Sequence, residues 1–188
     1  LQRQIAHTQN RIDQPKVASA AQAMQDINPH VDIRALEVRA DAALLERLVG
    51  EADVVLDCSD NFATRHAVNA ACVALARPLV AGAAIRFDGQ LSVYDLRDPA
   101  SPCYACLFPP DAQFEETRCA VLGVFAPVVG TVGTLQAHEA LKLLAGVGGG
   151  LTGRLLMFDG RASRFDSVKV ARDVHCCVCS TRATNIEA

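Results

Sequence analysis

Two Cys-x-x-Cys pairs constrain this chain more than any other feature: Cys103 and Cys106 in Pro102-Cys103-Tyr104-Ala105-Cys106, then Cys176 and Cys179 in His175-Cys176-Cys177-Val178-Cys179. Two such knuckles are the usual way to offer four thiolates to one tetrahedral zinc. A redox pair normally opens a helix in a thioredoxin-like unit, whereas both pairs here lie in Pro-rich or polar stretches. Scattered buried thiols and disulfides are the other readings of the same residues. Zinc fits best. The segment between the pairs is much longer than the roughly 12 to 20 residues of a finger or ribbon. The metal should therefore be structural, remote from chemistry, and should clasp the end of the chain to its middle. Cys177 breaks the paired spacing.

A chain of 188 residues is long enough to bury a core without staples, and is read first as one domain. It is 51% hydrophobic but only 5% aromatic, the Ala, Val and Leu content of helices covering a sheet. A formal charge of -3 supplies no basic footprint for nucleic acid and no polybasic membrane patch. No run reaches the roughly 18 apolar residues of a membrane span, and no signal peptide is evident. The eight cysteines fit a reduced, cytoplasmic protein with one metal site better than a disulfide scaffold. Cys58 and Cys72 fall in apolar runs and read as buried thiols.

Helical spacing of Val17, Ala20, Ala21, Met24 and Ile27 predicts a helix over 16–28, stopped by Asn28-Pro29. Residues 30–38 alternate imperfectly and are a strand candidate. Asp41 is placed to cap a short helix ending at Gly50. The run Asp53-Val54-Val55-Leu56-Asp57 suits a buried parallel strand, followed by a helix over 62–76 and a strand over 78–84. Open α/β sheets gather ligands at the carboxyl ends of their strands, so chemistry is expected at 57–61. Beyond residue 85 the pattern turns antiparallel, with hairpins around Asp88-Gly89 and Asp159-Gly160. A Gly-rich helix over 128–145 separates them and ends at Gly146. The fold class is α/β: a Rossmann-like, mostly parallel sheet continuing into antiparallel hairpins. The pattern divides the chain into βαβ units over roughly 1–84, the nucleotide-binding part that the resemblance described below implies, and a hairpin and zinc-clasp part over 85–188.

Asp60 follows a strand and precedes a helix. It serves there either as an N-cap or, with Asp57, as a hard-cation site for magnesium and substrate phosphates. Arg3 and Lys16 read, on the sequence alone, as solvated charges. Cys119 stands beside Arg118, which favours a thiolate as much as an idle cysteine. His138-Glu139 reads as helix packing or surface, and Gly148-Gly149-Gly150 follows a helix and so is no phosphate loop.

Taken together, Leu1-Gln2-Arg3-Gln4, Gln14-Pro15-Lys16-Val17, Ile27-Asn28-Pro29, Leu56-Asp57-Cys58-Ser59-Asp60-Asn61, Gly82-Ala83-Ala84-Ile85, the first Cys pair, Gly123-Val124-Phe125-Ala126-Pro127 and the terminal knuckle resemble one family. It is the adenylyltransferases of ubiquitin-like sulfur carriers, the molybdopterin-synthase and thiamine sulfur-carrier adenylyltransferases, which are related to the ubiquitin-activating enzymes. The resemblance covers nearly the whole chain, in order. It implies condensation of a carrier's C-terminal glycine carboxylate with ATP, giving an acyl-adenylate and pyrophosphate. It implies that Arg3 and Lys16 contact phosphates, that Asp60 binds magnesium, and that Asn61 lines the nucleotide site. Cys119 matches a cysteine that takes part in sulfur transfer in some members and not in others. The implied partners are a carrier ending in Gly-Gly and a second copy of the chain, and the pathways are those of molybdopterin, thiamine or thiolated tRNA. The face of Gly130, Gly133 and Ala137 is one candidate wall of a groove for the carrier tail.

The family's first strand, glycine-rich nucleotide loop and acidic ribose-binding segment are absent from the start of this sequence. The expectation is an adenylation domain lacking its N-terminal portion, which alone binds ATP poorly and is inactive. A non-catalytic, zinc-stabilised module that docks a ubiquitin-like protein is the alternative.

Overall fold

The computed structural model describes residues 1–112 and 122–182. Its contacts divide the chain into two compact units, Leu1–Ala40 and Asp41–Ala188.

The first unit holds a single turn of 3-10 helix at Gln9–Arg11 and helix α1 at Lys16–Ile27. Arg11 ties its segments together, donating to Ala6 O at 2.8 Å and pairing with Asp26 at 3.7 Å. His7 Nδ1 meets the buried Ser19 hydroxyl at 2.8 Å. Residues 32–37 carry no regular structure, so the strand expected over 30–38 is not formed. Alternation alone does not make a strand; a ladder partner does.

In the second unit, α2 (Ala42–Glu51) is capped by Asp41, whose Oδ1 accepts from Leu44 N at 2.9 Å. Strand β1 (Val55–Asp57) leads into α3 (Phe62–Ala74), then β2 (Leu79–Ile85) and β3 (Asp88–Tyr94). A short helix α4 (Tyr104–Leu107) lies within the first cysteine knuckle. Helix α5 (Ala126–Ala145) precedes the hairpin of β4 (Arg154–Asp159) and β5 (Arg164–Lys169). The strands form one sheet in chain order, β1-β2-β3-β4-β5. Among the described strands only β1 and β2 run parallel, with Val55 opposite Leu79, and the other three ladders are antiparallel. The sheet is therefore mixed, and the expected mostly parallel character is confined to one pair.

Each face of the sheet buries its own core. On one side Leu79, Ala81 and Tyr94 pack with Val68 and Cys72 of α3, Leu45 and Val49 of α2, and the cysteine knuckles. On the other, Val80, Leu91 and Val93 pack with Ala140 of α5. Helix α5 sits unusually close. A Cβ at Gly89 would come within 2.6 Å of Val132 Cγ2, so only glycine fits that strand position. The first hairpin turns at Arg86-Phe87, with Arg86 at φ 51°, and not at Asp88-Gly89. Gly89 serves helix packing and not the turn. Helix α5 closes at Gly146 in the left-handed conformation, and the buried Glu139, paired within the helix to Lys142 Nζ at 2.8 Å, holds the loop beyond it by accepting from Leu151 N at 3.0 Å. No helix among the described residues is long and apolar enough to cross a membrane.

Candidate functional site

The carboxyl end of β1 is where sequence reasoning expected chemistry. The backbone there is held from three directions by buried polar side chains. Asp57 is 4% exposed and turns inward, its Oδ1 accepting from Ser59 N at 2.8 Å. It therefore closes the loop through Oδ1, while its buried Oδ2 has no partner among the described residues. Gln136, reaching down from α5, donates through Nε2 to Asp57 O at 2.9 Å and Val80 O at 3.3 Å. Arg65, on the first turns of α3, donates to Ser59 O and to Gly82 O, the latter at 3.1 Å. A guanidinium and an amide thus hold the loop between β1 and α3 in one shape. Gly82 is what lets Gln136 in, because a Cβ there would lie 2.4 Å from Gln136 Cδ.

The cap of α3 is Asn61, whose Oδ1 accepts from Thr64 N at 2.8 Å. Capping was one of the two readings of Asp60, and Asn61 takes that role. Asp60 is exposed and its carboxylate makes no side-chain hydrogen bond among the described residues. It stands as a free anion at a strand end, beside the N-terminus of a helix. Asn61 has its oxygen committed and only its NH2 group left to present.

Cys58 was expected to be buried and is exposed; its neighbour Asp57 is the residue that points into the protein. The Cys58 thiol donates to Gln136 Oε1 at 3.5 Å, and partial burial together with the Asp57 charge pushes its pKa up. It is therefore a poor thiolate. Cys72 is fully buried as expected, and desolvation raises its thiol to about 12. Arg3 and Lys16 belong to the first unit, where both are exposed and neither forms an ion pair among the described residues. Cys119 lies outside the described residues. His138 is exposed at the surface of α5, as are Gly130, Gly133 and Ala137.

The second constellation is the cysteine centre. The sulfurs of Cys103, Cys106, Cys176 and Cys179 all lie within 4.8 Å of one another. Individual separations are 3.7 Å for Cys103–Cys176, 3.5 Å for Cys106–Cys179 and 3.9 Å for Cys103–Cys106. A disulfide needs about 2.05 Å. A tetrahedral ion with metal–sulfur bonds of about 2.3 Å spaces its ligands by about 3.8 Å, so the observed spacings are compatible with a metal site. Cys177 is exposed and stands apart from the four.

The surroundings of one sulfur, Cys106, favour a thiolate. Cys106 Sγ accepts from the backbone N–H groups of Cys103 and Asp173, both at 3.4 Å. The hydrogen bond between the Cys106 and Cys103 sulfurs, 3.9 Å apart, assisted by those amides, pushes Cys106 down to about 5 and Cys103 up. Burial raises Cys179 to about 11, opposed in part by Arg172. Arg172 also gathers the knuckle, donating to Cys179 O at 2.7 Å and Arg182 O at 3.0 Å, while its buried Nε has no partner among the described residues. Sulfurs carrying the negative charge of a metal centre would give that orphaned donor an acceptor.

Arg65, Asn69 and Gln136 are the site residues that sequence reasoning missed. Their signal was present: a charged or amide group at i and i+4 on the apolar face of α3, and a glutamine among the small residues of α5.

A ThiF family model matches residues 1–179. The chain belongs to the ThiF family. It is 44% identical to the molybdopterin-synthase adenylyltransferase of Escherichia coli (strain K12) over 181 residues, covering 95% of the chain and 71% of that protein. It is 47% identical to the sulfur carrier protein ThiS adenylyltransferase of the same organism over 180 residues, covering 95% and 70%. Against the adenylyltransferase and sulfurtransferase MOCS3 of Drosophila grimshawi the identity is 43% over 187 residues, 96% of the chain but 40% of that protein. Among solved structures, E. coli MccB with ATP has the same fold, with a TM-score of 0.79 at 19% identity, covering 95% of this chain and 55% of that one.

Proposed function

We propose that the protein carrying this chain catalyses ATP-dependent adenylation of the C-terminal glycine of a ubiquitin-like sulfur carrier, in molybdopterin, thiamine or tRNA-thiolation chemistry. The named relatives in the ThiF family are adenylyltransferases, which favours this reading over a non-catalytic docking module. The structural observation that carries it is Asp60, an uncommitted carboxylate at the end of the one parallel strand pair, set on a loop fixed by Arg65 and Gln136.

In the reaction, a carboxylate oxygen of the carrier's terminal glycine attacks the α-phosphorus of ATP. The bond from that phosphorus to the α,β-bridging oxygen breaks, and pyrophosphate leaves with its electron pair. No proton transfer is needed. The barrier comes from bringing an anion to a polyanion, so catalysis is mainly positioning and charge compensation. Arg3 and Lys16 are assigned to the phosphates by the family likeness, and Asp60 to magnesium, with Asn61 lining the nucleotide site through its free NH2. Magnesium, when bound, supplies charge neutralisation on the phosphate oxygens. Arg65 and Gln136 keep the Asp60 loop in place without touching substrate. Cys119 is the candidate acceptor in any later sulfur-transfer step.

Zinc is assigned to Cys103, Cys106, Cys176 and Cys179, as a structural ion that clasps residues 170–182 to the first knuckle. The fit of the sulfur spacings to its coordination sphere supports that choice. The reading extends to a cytoplasmic homodimer by the same likeness. Carrier-dependent exchange of pyrophosphate into ATP tests the enzymatic reading, with loss expected in Asp60→Ala.

A further inference from the structure

Asn69 is fully buried near the middle of α3, a place where a primary amide is costly unless both its ends are used. Both are used on the cysteine centre. Its Oδ1 accepts from Tyr104 N at 2.9 Å, the first residue of α4, and its Nδ2 faces Cys103 Sγ at 3.7 Å. This is a direct donor contact to a cluster sulfur from a side chain outside the four cysteines. One helical turn earlier, Arg65 holds Ser59 O and Gly82 O at the strand-end loop. Two side chains on one face of one helix therefore grip the two constellations.

We infer that Asn69 is an outer-sphere residue of the four-cysteine metal centre: its amide NH2 donates to the Cys103 thiolate while its oxygen fixes the Tyr104 N–H. This anchors the centre to α3, the helix that follows Asp60. The inference rests on the metal reading of the cysteine cluster given above. Its chemistry is that of a neutral donor to a thiolate: the hydrogen bond lowers the charge on one sulfur of a doubly negative centre and sets the orientation of the knuckle. The residue positions and does not catalyse.

A test that separates this role from mere packing uses Asn69→Asp. The carboxylate keeps an acceptor for Tyr104 N–H but removes the donor to sulfur and sets a like charge against it. Transfer of zinc from the full chain to a chromophoric chelator should be faster by about tenfold or more, the range set by outer-shell partners. In cobalt(II)-substituted protein, the sulfur-to-cobalt charge-transfer band should shift relative to wild type. Wild-type protein loaded with NMR-active cadmium gives a readout independent of any variant's folding. A scalar correlation from the metal to the Asn69 side-chain N–H protons, across the sulfur, is expected. An Asn69→Asp protein that folds and matches wild type in chelator transfer and cobalt spectrum overturns the inference, as does absence of the cadmium correlation in metal-loaded wild type. Failure of wild type to bind cobalt or cadmium at all overturns the metal reading beneath it and is told apart by that result.

Discussion

Replacing Gly82 by alanine adds one methyl group at the most crowded point of the candidate site. The new Cβ would stand 2.4 Å from Gln136 Cδ, 2.5 Å from its Oε1 and 2.9 Å from its Nε2, where ordinary contact begins at 3.4 Å. Gly82 is not among the positive-φ residues, so the effect is steric and not one of backbone strain. Gln136 is 3% exposed and has no solvent to retreat into. It must move by about 1 Å, stretching or losing its bonds to Asp57 O and Val80 O. Overpacking of a filled interior costs about 1–3 kcal/mol, and each lost hydrogen bond about 0.5–1.5 kcal/mol. A destabilisation of about 2–4 kcal/mol follows. With a urea slope of about 2 kcal/mol per molar, the unfolding midpoint should fall by roughly 1–2 M. Shortening the obstacle should relieve it, so Gly82→Ala should cost much less in a Gln136→Ala background, a coupling that a double-mutant cycle reads directly. A cost below about 0.5 kcal/mol, the scale of a neutral surface change, or an equal cost in both backgrounds, would refute the steric argument.

Other consequences are sharper for being paired. Asn61→Ala removes the α3 cap and should cost about 1 kcal/mol in urea unfolding, whereas Asp60→Ala should leave stability within about 0.5 kcal/mol, since its carboxylate holds nothing in the fold. Cys179→Ser should lose the metal, seen by elemental analysis of protein purified without added metal, and several kcal/mol of stability with it; under half an equivalent in wild type, with no change in the variant, would remove the clasp. His66 packs between Phe62 and Tyr104, and burial lowers its pKa below the ordinary value. The unfolded chain then binds the proton more readily, so stability should fall as pH drops through about 6.5 toward the lower folded value. An NMR titration midpoint at or above about 6.5 would contradict that.

The parts legible in the sequence were those governed by short-range chemistry. The run ending at Asp57 is a strand as read, although it lies at the end of the described sheet with Leu56 41% exposed and is not the buried strand expected, and the Ser-Asp-Asn turn after it starts a helix. The two knuckles announced their partnership by residue type alone, and the structure brings their sulfurs together. What escaped was decided by tertiary partners. Residues 30–38 alternate like a strand yet acquire no ladder. Asp88-Gly89 has turn chemistry, but its glycine is required by the approach of Val132 from a helix about forty residues on. Asp60 and Asn61 are equally good caps in isolation, and only the backbone direction at the start of α3 gave the cap to Asn61 and left Asp60 free. Arg65, Asn69 and Gln136 are visible in the sequence as polar groups on apolar helix faces, but the main-chain groups and the sulfur they act on are brought near them only by folding.

The central claim is that the Asp60 loop serves adenylation of a protein carboxylate. Exchange of labelled pyrophosphate into ATP, with a purified sulfur carrier ending in Gly-Gly and magnesium, tests it most directly in the protein carrying these 188 residues. Exchange that depends on the carrier's terminal glycine, and that falls by several orders of magnitude in folded, metal-replete Asp60→Ala, is the predicted result. Exchange that persists unchanged in that variant, or that never depends on the carrier, would contradict the account.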